Sequence, residues 1–190
     1  MFNFFKNASG KQISKDASRL YQQAVAQARL PHFYRAWQVP DSFDGRFDLL
    51  ILHTGLLTIR LEELGPEGQE LAQALYDETF RMLELSCREL GIGDEGLPYH
   101  MQRMIKAFNG RTLAYKNGVV QDQGVLKDAV RRNLYGTVEQ IDNNIVEAVS
   151  AYILETSRHL CGKTLMDFKT QPHTVFPVSN SNEIANVKIA

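Results

Sequence analysis

The sequence predicts an all-α, single-domain bundle of about six to eight helices that ends in an irregular C-terminal tail. Three observations carry this prediction. Apolar residues recur three and four positions apart through most of the chain. Gly, Pro and Asn-Gly steps punctuate these segments at their ends. Runs of alternating or β-branched residues long enough for a strand are almost absent. With 190 residues, 44% hydrophobic and 23% charged, the chain can bury one core of ordinary size. The expected organisation is an N-terminal arm over 1–12, a helical domain over 13–162 and an extended or disordered tail over 163–190.

The first helix is expected from Ser14 to Arg29, capped by Ser14 or Asp16 and stopped by Pro31. Ala17, Leu20, Tyr21, Ala24, Val25 and Ala28 share one face. Pro31 to Trp37 reads as a short helical turn, and Val39-Pro40-Asp41-Ser42 as a loop. The next helix carries Phe47, Leu50, Ile51, Leu57, Leu61 and Leu64 on one stripe, with Thr54 and Thr58 continuing it. Leu49, Leu52, Leu56 and Ile59 make the opposite side apolar too, the pattern of a helix at the centre of a bundle. Asp44 is expected to cap it. Gly65-Pro66 ends it and starts another from Glu67 to Leu90. A glycine-rich loop, Gly91 to Gly96, leads to a helix from Pro98 to Phe108. Asn109-Gly110 is expected to break it before a short helix, Arg111 to Lys116. Helices over Asp122–Tyr135 and Ile141–Leu160 complete the set. A hairpin at Asn117-Gly118 is conceivable, but its flanks are too short to outweigh the helices.

The formal net charge of -1 argues against a wholly basic nucleic-acid binder. Its distribution is uneven: +5 over residues 1–40, -9 over 41–95 and +5 over 99–132. Such a pattern marks either a partner surface or neighbouring helices that neutralise one another. No run of 18 apolar residues exists. The start of the chain lacks the marks of a signal or transit peptide, so a cytoplasmic, bacterial setting is expected. Cys87 and Cys161 stand alone, which offers neither a disulfide framework nor zinc spacing.

Catalytic signatures are nearly silent. No two of the five histidines stand in metal-binding spacing, and there is no nucleophile elbow and no phosphate loop. Gly91-x-Gly93-x-x-Gly96 has the letters of a dinucleotide fingerprint but follows a helix rather than a strand. His53, inside an apolar helix, reads first as a satisfied core residue. Asp44 and Asp48 share a helix face without a visible cleft. Arg46 and Arg60 need carboxylate partners near the core, and Asp44, Asp48, Glu62 and Glu63 are the local supply. The Met104–Lys116 segment mixes cations with aromatics, as an RNA-binding surface would. It would equally place long side chains over the acidic 41–95 helices.

Two blocks carry a resemblance. One is Phe33-Tyr34-Arg35 with Val39-Pro40-Asp41-Ser42-Phe43-Asp44-Gly45-Arg46-Phe47-Asp48-Leu49-Leu50-Ile51-Leu52-His53. The other is Met104-Ile105-Lys106-Ala107-Phe108-Asn109-Gly110-Arg111 with Ala114-Tyr115. Together with the helices between them they resemble the ubiquinol–cytochrome c chaperone family over about residues 30–135. The resemblance implies an all-α factor that binds newly made cytochrome b and supports assembly of respiratory complex III. It implies no catalytic residue, cofactor or metal. The ribosome and peripheral contact with a membrane are further implied contacts, and DNA is not. The implied location is the cytoplasmic face of a bacterial inner membrane, with the mitochondrial matrix for organellar members. Candidate client contacts are Arg46, Asp48, His53, Arg60, Lys106, Arg111 and Tyr115, which would otherwise pin helices to one another. Two other readings stand beside this one. One is an RNA- or ribosome-associated module using the basic 99–132 segment. The other is a small enzyme using the Asp48/His53 region, which requires an enclosed pocket beside both.

Overall fold

A computed structural model of the chain describes residues 2–170 and 175–177, with side-chain surroundings from Gly10 onward. Met1, residues 171–174 and residues 178–190 lie outside the described residues, and with them most of the expected tail, including its Ser179–Asn182 run. The described residues form eight helices and no strand: α1 Phe2–Ala28, α2 Pro31–Arg35, α3 Phe43–Glu62, α4 Pro66–Glu89, α5 Leu97–Val120, α6 Gln123–Leu134, α7 Asn143–Cys161 and α8 Leu165–Thr170.

The centre is α3, as its two-sided apolar pattern predicts. It packs against α1, α4, α5, α6 and α7. Ile51, Leu57 and Leu61 are fully buried, and so are Leu49 and Leu52 on its other side. Thr54 and Thr58 are tolerated in this core because each hydroxyl donates to a carbonyl one turn back, Leu50 O at 2.7 Å and Thr54 O at 2.9 Å. The expected cap is displaced by two residues. Ser42 is the N-cap, its Oγ accepting from the Gly45 amide at 3.1 Å, and Asp44 lies in the first turn, where its charge favours the positive helix end.

Three other boundaries differ from expectation. α1 begins well before Ser14. Asp16 is therefore no cap but a buried mid-helix carboxylate, 3.2 Å from Arg19 and bonded by Gln12 at 3.1 Å. α5 runs unbroken through Asn109-Gly110. Met104, Phe108, Tyr115 and Gly118 all bury along one stripe, and that burial outweighs the roughly 1 kcal/mol that a mid-helix glycine costs. Gly118 also permits the close crossing of α6, since a Cβ there would stand 2.7 Å from Leu126 Cα. In the expected tail, α8 buries Phe168, and Val175 and Phe176 return to the core. The Val175 amide donates to Gln23 Oε1 at 2.8 Å, and Arg19 Nη2 donates to Phe168 O at 2.6 Å.

The glycine-rich loop joins α4 to α5 with no strand before it, so its fingerprint letters form a helix stop. Gly91 adopts φ 83°, its amide bonds Arg88 O at 2.9 Å, and the Ile92 amide bonds Cys87 O at 3.0 Å, which is a Schellman ending.

Candidate functional site

The first turn of α3 projects between two clefts. One, of about 660 Å³, lies between α3, the end of α4, α5 and the end of α6, and is lined by Asp44, Asp48, Arg103, Arg111 and Arg132 among others. The other, of about 740 Å³, lies between α1, α2, α3 and the end of α4. Phe43, Phe47 and Leu90 line both and form the ridge between them. The Phe43 and Phe47 rings are nearly parallel, with centroids 6.5 Å apart. Phe43 is 47% exposed and Leu90 64%, so the ridge is an apolar surface in contact with water.

Asp48 forms the wall of the first cleft. Arg111 Nη2 of α5 approaches its Oδ1 at 2.9 Å, outside hydrogen-bond geometry, with the guanidinium 5.9 Å from the Phe47 ring centre. Burial pushes the Asp48 carboxyl up to about 7, with Arg111 opposing and Asp44 adding to the rise. A group whose folded pKa lies above its unfolded value holds its proton longer in the folded state. Its contribution to stability is therefore lost as pH rises from about 4 towards 7. Between pH 5 and pH 8 the wild type is expected to lose about 2 kcal/mol more unfolding free energy than Asp48→Asn does. Urea unfolding of both proteins at the two pH values measures it, and parallel pH curves would refute it.

Tyr115, one helical turn beyond Arg111, is fully buried, and burial together with the Asp48 charge pushes its hydroxyl far above the usual phenol range. It supports the cleft wall from behind and touches no solvent. His53 is also interior. Its Nδ1 is 2.7 Å from Leu49 O and its Nε2 is 2.8 Å from the Tyr152 hydroxyl. A carbonyl only accepts, so Nδ1 carries the proton and Nε2 accepts from Tyr152, whose oxygen in turn accepts from Gln27 Nε2 at 3.0 Å. The rings of Phe33 and Phe176 stand edge-on to the imidazole, each 5.3 Å away. His53 and Tyr115 are thus withdrawn from the expected contact surface, because no partner reaches a fully buried side chain.

The other four candidates scatter. Arg46 is exposed, lines the second cleft, and pairs with Asp41 at 2.7 Å rather than with Asp44 or Asp48. Arg60 pairs with Glu63 at 3.1 Å, as the local supply allows, and donates to Lys163 O at 2.8 Å. Lys106 is exposed and lines neither cleft. Arg111 is the half-buried partner of Asp48. The structure therefore unites Asp48, Arg111 and, behind them, Tyr115, but not the rest. The acid–base reading of Asp48 with His53 does not hold geometrically, since one faces the first cleft and the other a closed aromatic cluster. In the basic segment, Arg111 and Lys116 pair with Asp48 and Glu62 of α3, at 2.9 and 3.6 Å, so neighbouring helices do neutralise each other. Lys127 pairs with Glu147 and Arg131 with Asp128. Arg103 and Arg132, which line the first cleft, have no ion pair among the described residues. These two and Phe43 stand outside the candidate set, and Leu90, which the apolar period of its helix would turn inward, is instead exposed at the helix end. Phe43 and Leu90 carry one signal, a large apolar side chain at each of two helix ends.

The family model described as "Ubiquinol-cytochrome C chaperone" matches residues 35–167. The Saccharomyces cerevisiae protein "Protein CBP3, mitochondrial" is 29% identical over 147 residues, covering 74% of this chain and 43% of its own. The Mus musculus "Ubiquinol-cytochrome c reductase complex assembly factor 1" is 23% identical over 144 residues, covering 76% and 48%. The chain spans a little under half the length of these two relatives. A crystal structure described as the Cbp3 homolog from Brucella abortus shares the fold with a TM-score of 0.77 at 32% identity, covering 89% of this chain and 93% of that one.

Proposed function

The chain belongs to the ubiquinol–cytochrome c chaperone family, and from that premise we propose that it is an assembly chaperone for the ubiquinol–cytochrome c reductase complex, binding newly synthesised cytochrome b. The observation that carries this reading is the extent of the family match. Residues 35–167 include α3 to α7 and the whole lining of the first cleft. The Mus musculus relative is named as an assembly factor of that same complex. Chaperoning of this kind is binding without covalent chemistry, and an exposed apolar ridge beside charged clefts suits it. No helix among the described residues is long and apolar enough to cross a membrane. The protein works, on this reading, at the cytoplasmic face of the membrane that receives its client.

Deleting the gene is expected to leave cytochrome b poorly accumulated while unrelated membrane proteins persist. Immunoblots and haem b spectra of membranes from the deletion strain measure this. Normal levels of the complex in that strain would end the proposal.

A further inference from the structure

We propose that the trough formed by the two clefts and their shared ridge seats a client segment of defined chemistry, an apolar cluster flanked by carboxylates. This rests on the chaperone reading and adds to it the place of contact and the character of what is held.

Three observations converge on the trough. Its crest is apolar and wet: Phe43 is 47% exposed and Leu90 64%, both in walls common to the two clefts. Its arginines fall into two groups. Arg111 and Arg46 are held by Asp48 and Asp41 at 2.9 and 2.7 Å and shape the walls. Arg103 and Arg132 on one side of the ridge, and Arg29 and Arg35 on the other, have no ion pair among the described residues. Against these four guanidinium groups stand Asp44 and Glu89, the lining carboxylates without an ion pair among the described residues. Arg103 also lies over the Tyr99 ring, 5.8 Å from its centre. An excess of cations without a carboxylate partner on both flanks of an apolar crest is nonetheless complementary to a segment with apolar side chains at its middle and acidic ones towards its ends. Arginine suits the task, because its planar fork grips a carboxylate with two parallel hydrogen bonds.

The shape favours polypeptide over a lipid surface. A bilayer meets a protein on a protruding face, whereas these arginines line recesses of about 660 and 740 Å³, each large enough for two or three side chains.

The test uses the full purified chain and a fluorescein-labelled synthetic peptide of about 16 residues, a Leu/Phe core with glutamates at both ends, long enough to cross both clefts. Its counterpart carries lysine for glutamate. Anisotropy is expected to show the acidic peptide binding about tenfold more tightly than the basic one, with the advantage shrinking as salt rises. Arg103→Glu combined with Arg132→Glu is expected to weaken the acidic peptide about tenfold or more, and Phe43→Asp to weaken it similarly. Arg158→Glu on α7, which lines neither cleft, leaves binding unchanged. All the substituted side chains are at the surface, so melting curves close to wild type accompany these results. Equal affinity for the two peptides overturns the proposal, as does a double variant that binds like wild type. Vesicles of phosphatidylcholine and phosphatidylglycerol provide the remaining arm. Co-sedimentation abolished by the double variant, with peptide binding unaffected, overturns the proposal in favour of a membrane surface. In cells, the double variant replacing the wild-type gene is expected to reduce cytochrome b. Full accumulation there, beside a defective deletion strain, removes the trough while leaving the chaperone function standing.

Discussion

Replacing His53 with alanine is expected to lower the unfolding free energy by about 4 kcal/mol, read from urea unfolding near neutral pH. Two costs add. The fully buried ring is lost from a cluster with Phe33, Tyr152 and Phe176, leaving a cavity where those three rings had packed against it. The buried Tyr152 hydroxyl then loses its acceptor. His53→Phe separates the two by keeping most of the volume, and about 1–3 kcal/mol is expected for the orphaned hydroxyl alone. The pH dependence gives an independent readout. Burial lowers His53 from its ordinary 6.5 to about 4, so the folded state takes up its proton only well below the pH at which the unfolded chain does. The unfolded state binds more protons in that window, and stability is lost as pH falls from about 6.5 to about 4, by at most about 3 kcal/mol. His53→Phe removes this component of the slope. A loss for His53→Ala below about 1 kcal/mol would mean that the ring is not packed as described.

How far sequence reasoning reached follows from which signals are local. α3, α4 and α7 were legible because an apolar stripe and a Gly-Pro or capping step lie within the segment itself. The unity of α5 was not. Asn109-Gly110 is a strong local break signal, and what overrides it is burial of Phe108 and Tyr115 against helices far away in sequence. The same holds at the tail, where Phe168, Val175 and Phe176 have no period to announce them and find their place through tertiary contacts with α1 and His53. For the site, the resembling blocks placed Arg111 and Asp48 among the candidates, yet only the packing of α5 on α3 pairs them. His53 was rightly suspected of being a satisfied core histidine. Its partner Tyr152 lies on α7, beyond the reach of any spacing rule. The Phe43–Leu90 ridge escaped notice because exposure is a property of the assembled surface.

Gly45→Ala is expected to cost about 3 kcal/mol, although alanine is the better helix former. A Cβ at this position would fall on the Pro40 carbonyl oxygen, and it would stand 3.0 Å from the Pro40 carbonyl carbon. Both obstacles are backbone, so no side chain can swing aside. The loop is not free to retreat either. Val39 is buried and its amide bonds Phe33 O at 3.0 Å, while Tyr135 donates to Trp37 O at 2.6 Å. Proline fixes its own φ between these anchors and the first turn of α3. The helix must therefore unwind at its start, losing the Ser42 cap, or the loop must lift and expose Val39. Either response moves Phe43 and Phe47, which line both clefts, and Asp48, which walls the first. Gly110→Ala in α5 is the matched comparison, since nothing lies within 4 Å of a Cβ there. It is expected to raise stability by about 0.5–1 kcal/mol through helix propensity alone. Thermal melts of the two variants should thus shift in opposite directions. A Gly45→Ala protein that melts as high as Gly110→Ala would show that the loop does not press on α3, and the close fit that shapes the ridge would have to be abandoned.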